Sequence, residues 1–286
     1  MKIVPENFGE SFLAGEFAAV YSQTTEEFKE IATLEEFIDL GESFNEGVEA
    51  YHLEISTSLH KDMTQYVWLD NSKKKAISVF FGEHHQIYAL RLAPFISSFP
   101  ESDMQLTQNT YCMPIKAEWF VFWGGTNEFI NYHYVYENQR YAYDLLMMRD
   151  GQTYRDSPDR LQHYYAFNQE VTAPGDGRVV KVSDGFPDNP IGERNEDQPE
   201  GNCVIIEHEN QEYSMLAHLK ADSVSVAEGE CIKQGDLVGL CGNSGNSTEP
   251  HIHFQVMDSP DYTTGRSIRI RFKDESDPIQ GDFVRS

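Results

Sequence analysis

The sequence predicts an α+β domain over residues 1–100, followed by a mainly antiparallel β domain over residues 101–286 built as a sandwich or barrel. Two observations carry this reading. Near the N-terminus, apolar residues recur at the spacing of a helical face. After that, short β-prone runs parted by turn residues continue almost to the last residue. A length of 286 residues suits two domains better than one, and 40% hydrophobic residues suffice for ordinary buried cores.

Phe8, Phe12, Leu13, Phe17, Val20 and Tyr21 repeat at helical spacing, so a first helix can bury one face. A second is expected to begin at Thr24 or Thr25, whose hydroxyl can cap a turn holding Glu26 and Glu27. Thr33 can cap a third, LEEFIDLGESF, expected to run down around Gly41. The texture then changes to YHLEIST, TQYVWL, AISVFF and QIYALRL, separated by the turn-like DNSKK and GEHH. Helices followed by a meander of strands indicate helices packed on one face of an antiparallel sheet. In element order alone, this part resembles the small cystatin and nuclear-transport-factor folds seen as accessory modules.

PFISSFPESDMQLTQNT breaks the periodicity with Pro, Ser and Asn, which puts the expected boundary near residues 95–110. Beyond it EWFVFWG, INYHYVY, RYAYDLLMM, GRVVKV, CVIIEH, YSMLAHL, DLVGLCG, HIHFQVM and SIRIRF read as strands, with no long helical pattern between them. The polar stretch DGFPDNPIGERNEDQPE, residues 184–200, is expected to be an exposed loop long enough to border a binding groove.

The formal net charge is −25, and such a surface repels phosphate backbones, so nucleic acid is excluded as a partner class. The aromatic share of 13% suits pleated, half-buried surfaces. Cys112, Cys203, Cys231 and Cys241 form no C-x-x-C pair, which argues against a cysteine zinc site. Cys203 and Cys241 lie in apolar strand-like runs and read as small buried hydrophobes. No apolar run reaches the length of a membrane span.

The chemistry concentrates in three places. In PHIHF, His251 and His253 stand two apart, so in a strand both imidazoles face one spot. Imidazole is both a zinc ligand and the usual general base near neutral pH. His218 in LAHL sits in what should be an adjacent strand, and Asp144 opens the apolar run of QRYAYDLLMM. Alone, His218 reads as a buried hydrogen-bonded histidine and Asp144 as an ordinary strand-end carboxylate.

Taken together, VTAPGDGRVVKV, GNCVIIEHENQEYSMLAHL and VSVAEGECIKQGDLVGLCGNSGNSTEPHIHFQV resemble the lysostaphin/LytM-type peptidase domain from Val171 to Met257. The order of APxDGxV, GNxVxIxH, AHL, GDxVGxxGNSGxST and PHxHF in one run is a specific signal. The resemblance implies a LytM-like β domain acting as a zinc endopeptidase on peptide cross-links of bacterial peptidoglycan. It implies one Zn2+ per chain with His253 and Asp144 as ligands, His251 as general base, and His218 beside it to stabilise the tetrahedral intermediate.

One position departs from the family. Its first motif is H-x-x-x-D, and Arg140 stands where that histidine belongs; a guanidinium stays protonated and ligates no zinc. Read as two arms of a hairpin turning at Glu137 and Asn138, INYHYVY and RYAYDLL place His133 opposite Ala142. Directly paired residues share a face, so His133 would join Asp144 and supply the third metal ligand. A loop of odd length would send His133 to the other face. A branch of the family with a similar GG…NYH…NQRYAYD pattern supports the first register.

His52, His60, His84, His85, His163 and His208 have no partner at ligand spacing. The N-terminus MKIVPENFGE lacks a signal-peptide h-region, and for a wall hydrolase an export segment removed ahead of it is expected, giving an extracellular or wall-associated protein. Two other functions stay in view. A zinc-free relative that binds wall peptide or regulates another hydrolase is favoured by Arg140. A phosphocarrier of similar β architecture is favoured by fold analogy alone.

Overall fold

A computed structural model describes residues 2–60, 62–95 and 98–286 of the chain, with the side chain of His60 left aside. The chain folds as two compact units, Met1–Ile96 and Ser97–Ser286. Ile96 and Ser97, in the stretch expected to hold the boundary, lie outside the described residues.

The first unit opens with α1 (Pro5–Leu13), α2 (Phe17–Ser22), α3 (Glu26–Ile31) and α4 (Leu34–Asn45). The single first helix expected from Phe8 to Tyr21 is two, because Gly15 adopts φ +79° and turns the chain between them. Thr25 caps α3 by accepting from the Phe28 amide, and Thr33 caps α4 in a reciprocal capping box with Glu36. Four strands follow as an antiparallel meander: β1 (Tyr51–His60), β2 (Met63–Asp70), β3 (Lys75–Phe81) and β4 (Ile87–Pro94). Phe8, Phe12, Val20 and Phe37 of the helices meet Trp68, Ile77, Val79 and Phe81 of the sheet in one core, which makes this unit α+β.

After the short α5 (Pro100–Asp103), the second unit is built from strands: β5 (Trp119–Trp123), β6 (Tyr143–Leu146), β7 (Glu170–Thr172), β8 (Gly177–Ser183), β9 (Asn202–Glu207), β10 (Tyr213–Leu219), β11 (Cys231–Ile232), β12 (Leu237–Leu240), β13 (Ile252–Met257), β14 (Ser267–Ile268) and β15 (Phe283–Val284). Among the described residues, nine form one antiparallel sheet ordered β11-β8-β9-β10-β13-β6-β5-β15, with β14 on β13, while β12 pairs with β7. The path runs from β11 to β15 without joining its ends, so the barrel alternative is corrected to an open sheet with a small second layer.

Strand alternation sorts the middle of this sheet into two faces. Val204, Leu216, Phe254 and Leu145 point into the main core, which also receives Val171 and Val238 from the β7–β12 layer. The opposite face carries Ala217, His253 and Asp144 in one row, since Ala217 pairs with His253 and His253 with Asp144. A slip of one residue would exchange the two sets. The hairpin expected from INYHYVY and RYAYDLL does not form. Tyr132–Val135 is a turn of 3-10 helix entered through Asn131, whose side chain accepts from the His133 amide, and β6 begins only at Tyr143. Asn131 competes locally for the backbone and wins over the strand.

Candidate metal centre

His133, Asp144 and His253 are buried, and their ligand-capable atoms all lie within 4.8 Å of one another. Among the described residues this is the one such group of three or more His, Cys, Asp or Glu side chains. His253 and Asp144 arrive as direct partners on β13 and β6. His133 arrives from the 3-10 turn and not across a hairpin.

The hydrogen bonds decide which nitrogens are free. Asn131 donates its amide to the carbonyls of Gly125, Arg140 and Ala142, which fixes its oxygen as the acceptor facing His133. His133 Nδ1 lies 2.9 Å from that oxygen and therefore carries the proton. Its Nε2 is then a lone pair, buried and without a hydrogen-bond partner, 3.6 Å from Asp144 Oδ2. Two electron-rich atoms facing each other at a buried site can be bridged by a cation between them.

His253 is held in the same manner. Gln255 donates to the Asn138 carbonyl, so its oxygen accepts from His253 Nε2 at 2.8 Å. Nδ1 faces Asp144 Oδ1 at 3.0 Å. Burial works against charging this ring, yet the Asp144 contact outweighs it and raises its pKa. Burial likewise pushes His133 down, against the pull of Asp144. Burial would raise the Asp144 carboxyl, but the surrounding imidazoles of His133, His251 and His253 hold it well below the usual carboxylate range. A carboxylate and two imidazole lone pairs, each imidazole oriented by a hydrogen bond on its other nitrogen, match the donor set that a tetrahedral zinc site with one open position takes.

His218 and His251 complete the cluster, with ring centroids 4.7 Å apart. His218 Nδ1 donates to the Ser244 carbonyl at 2.8 Å, and His251 Nδ1 to the Glu249 carbonyl at 2.9 Å. Each ring thus keeps a free Nε2, and that of His251 stands 3.8 Å from Asp144 Oδ2. His218 adopts φ +62° at a bulge where the β10–β9 register shifts, an uncommon backbone for a histidine. Burial pushes His218 well below the ordinary histidine value. All five residues singled out in the sequence are therefore in one place.

Arg140 is not among them. Its guanidinium lies 3.5 Å over the Phe99 ring, and its Nε donates to the Tyr134 carbonyl. Two cavities open on the cluster. One of about 270 Å³ reaches Asp144 and His251 between Trp123 and Arg194; one of about 310 Å³ reaches His218 and His253 between Glu200 and Tyr262. Tyr132 and Asn246 border both. The loop 184–200 contributes Arg194 and Glu200 to these walls and is tied to the loop after β12 by Asn189, Gly192 and Asn195.

Sequence reasoning missed Asn131 and Gln255. Gln255 had a signal, since His251, His253 and Gln255 alternate along one strand. Asn131 had only its place two residues before His133.

The model of peptidase family M23 matches residues 162–268. The chain is 32% identical over 87 residues to the peptidoglycan DD-endopeptidase ShyB of Vibrio cholerae, a match covering 30% of this chain and 17% of that protein. It is 42% identical over 56 residues to the DD-carboxypeptidase/endopeptidase Mpg of Neisseria meningitidis, covering 20% of this chain and 12% of that one. The matches thus span less than a fifth of these relatives' own lengths. Among solved structures, the catalytic domain of lysostaphin from Staphylococcus simulans aligns at 19% identity and a TM-score of 0.31, covering 53% of this chain and 88% of that chain. With the motif series from APxDGxV to PHxHF laid out between β7 and β13, the C-terminal unit carries, over residues 162–268, a segment that matches peptidase family M23.

Proposed function

We propose that the chain is a zinc-dependent endopeptidase that hydrolyses peptide cross-links of bacterial peptidoglycan, working at the cell wall. The observation that carries this is the unpartnered, buried His133 Nε2 facing Asp144 Oδ2 beside two further imidazoles with free Nε2 atoms. Relatives named as peptidoglycan DD-endopeptidases support the substrate class.

His133, Asp144 and His253 would hold the ion. Zinc bound there supplies a Lewis acid that lowers the pKa of water toward neutrality and polarises a carbonyl. His251, the least buried of the cluster's histidines, accepts the proton of the attacking water through Nε2 while its Nδ1–H stays on the Glu249 carbonyl. His251 or His218 then delivers a proton to the leaving amine. The two cavities meeting at Tyr132 and Asn246 give an extended peptide room on either side of the cluster.

The test is zinc per chain by elemental analysis, for wild type and His133→Ala purified without chelator, alongside release of soluble fragments from purified peptidoglycan. About one zinc per wild-type chain, lost in the variant together with hydrolysis, is expected. A wild type that takes up no zinc after its addition overturns the peptidase reading and puts a wall-peptide-binding module in its place.

A further inference from the structure

A cavity of about 930 Å³ in the second unit does not touch the histidine cluster. It lies within the range of roughly 300–1,000 Å³ typical of small-ligand sites. Phe99, Met104, Leu106 and Ile268 supply apolar wall, and Arg140 lines it.

Arg140 is only 8% exposed, and the part of it that reaches solvent does so in this cavity. Its Nε is committed to Tyr134, and Phe99 stacks on the plane of the guanidinium. Among the described residues no carboxylate pairs with it, and neither Nη atom has a hydrogen-bond partner. Asp103 spends its carboxylate on the hydroxyls of Tyr134 and Tyr141. Of the acids lining the cavity, Asp258 is paired with Arg266, and Glu212 accepts from the backbone at Gln108 and Asn109 and from the Tyr111 hydroxyl. A guanidinium held flat by its Nε anchor and the Phe99 ring, with its two-nitrogen edge open to the cavity, is shaped for a planar anion.

We propose that this cavity is a second binding site, in which Arg140 takes the free carboxylate of a short peptide through a two-bond fork. Glu101 and Glu137 on the same wall disfavour a dianionic phosphate and complement the amide or ammonium groups that a peptide brings. The site stands independently of the hydrolase reading. It also gives a role to the residue that replaces the first histidine of the family motif.

The probe is the tripeptide Ala-Ala-Ala as the free acid, against its C-terminal amide and inorganic phosphate, titrated into the full chain by calorimetry. The free acid should bind at millimolar strength or better, and the amide about tenfold more weakly or not at all. Arg140→Gln, which keeps a donor for the Tyr134 carbonyl, should weaken the free acid by about tenfold or more. Leu106→Trp, which fills the wall without touching that anchor, should weaken it even if Arg140→Gln misfolds. His253→Ala should bind the peptide as wild type does. Equal binding of acid and amide, tighter binding of phosphate, loss of binding in His253→Ala, or indifference to Leu106→Trp would each overturn the proposal.

Discussion

Gln255 shows how much of the proposed metal site lies one bond away from the side chains that would ligate the ion. It accepts from His253 Nε2 and donates to the Asn138 carbonyl, so it sets both the ring's orientation and which nitrogen is free. Outer partners of this kind typically change metal affinity by about 10–100-fold. Gln255→Ala is therefore expected to weaken zinc binding by about that factor in competition with a chromophoric chelator, with the far-ultraviolet dichroism of the metal-free protein unchanged. Unchanged affinity would mean that the strand pairing of His253 with Asp144 orients the ring unaided. The same reasoning shows what the sequence made legible at this scale. His218, His251 and His253 stand in dense, ordered motifs, and their meeting could be argued from strand alternation. His133 was reached through a hairpin that is absent. What brings it to Asp144 is a side-chain bond from Asn131 that favours a tight turn, a local competition that no periodicity reveals.

At the scale of elements, two glycines are fixed by close contacts that a Cβ would disturb. Gly41 sits inside α4, where replacement by alanine ordinarily stabilises a helix by about 1 kcal/mol. A Cβ there would lie 2.5 Å from Phe17 Cε1, and that ring is closely packed against Phe12 and Phe37. Overpacking of this kind costs about 1–3 kcal/mol, so the clash outweighs the gain and Gly41→Ala should lower the melting temperature. A rise would show that Phe17 can step aside. This is also why the helix runs past Gly41 to Asn45, where the residue type alone suggested its end. Gly245, from the GNSG motif, has φ +76°, and a Cβ on it would meet the Gly201 nitrogen at 2.5 Å. Ser244, beside it, supplies the carbonyl that takes the His218 Nδ1 proton. Gly245→Ala should therefore reduce peptidoglycan hydrolysis more than it reduces zinc content, because the ligands lie on other elements. Parallel loss of both would make the loop a support of the whole site. Caps and strand runs were readable because each is local. The glycine contacts were not, because their partners are distant in sequence.

For the molecule as a whole, the excess of 47 acidic over 22 basic residues suggests at first that mild acid should help by easing self-repulsion. Carboxylates, however, titrate near pH 4, so between pH 7 and 5.5 the histidines decide. His208 links three segments of the second unit: it lies 2.8 Å from the Asp176 carbonyl and 2.8 Å from Ser214 Oγ, and its ring meets Tyr111 edge-on. Burial pushes its pKa below the ordinary 6.5, with Asp176 and Glu212 opposing. The unfolded chain therefore takes up this proton at a higher pH than the folded chain does. The stability tied to neutral His208 is intact above pH 6.5 and is lost as pH falls from there through the folded value. One such proton changes stability by at most about 1.4 kcal/mol per pH unit. His133 and His218 act in the same direction, so the absolute slope belongs to several rings, and only a difference isolates one. Thermal melts of wild type and His208→Gln between pH 7.5 and 5.5 should show the variant less stable at the upper end and less sensitive to acid. Parallel curves would mean that His208 titrates alike in both states, and the acid sensitivity of the fold would then rest on the histidine cluster.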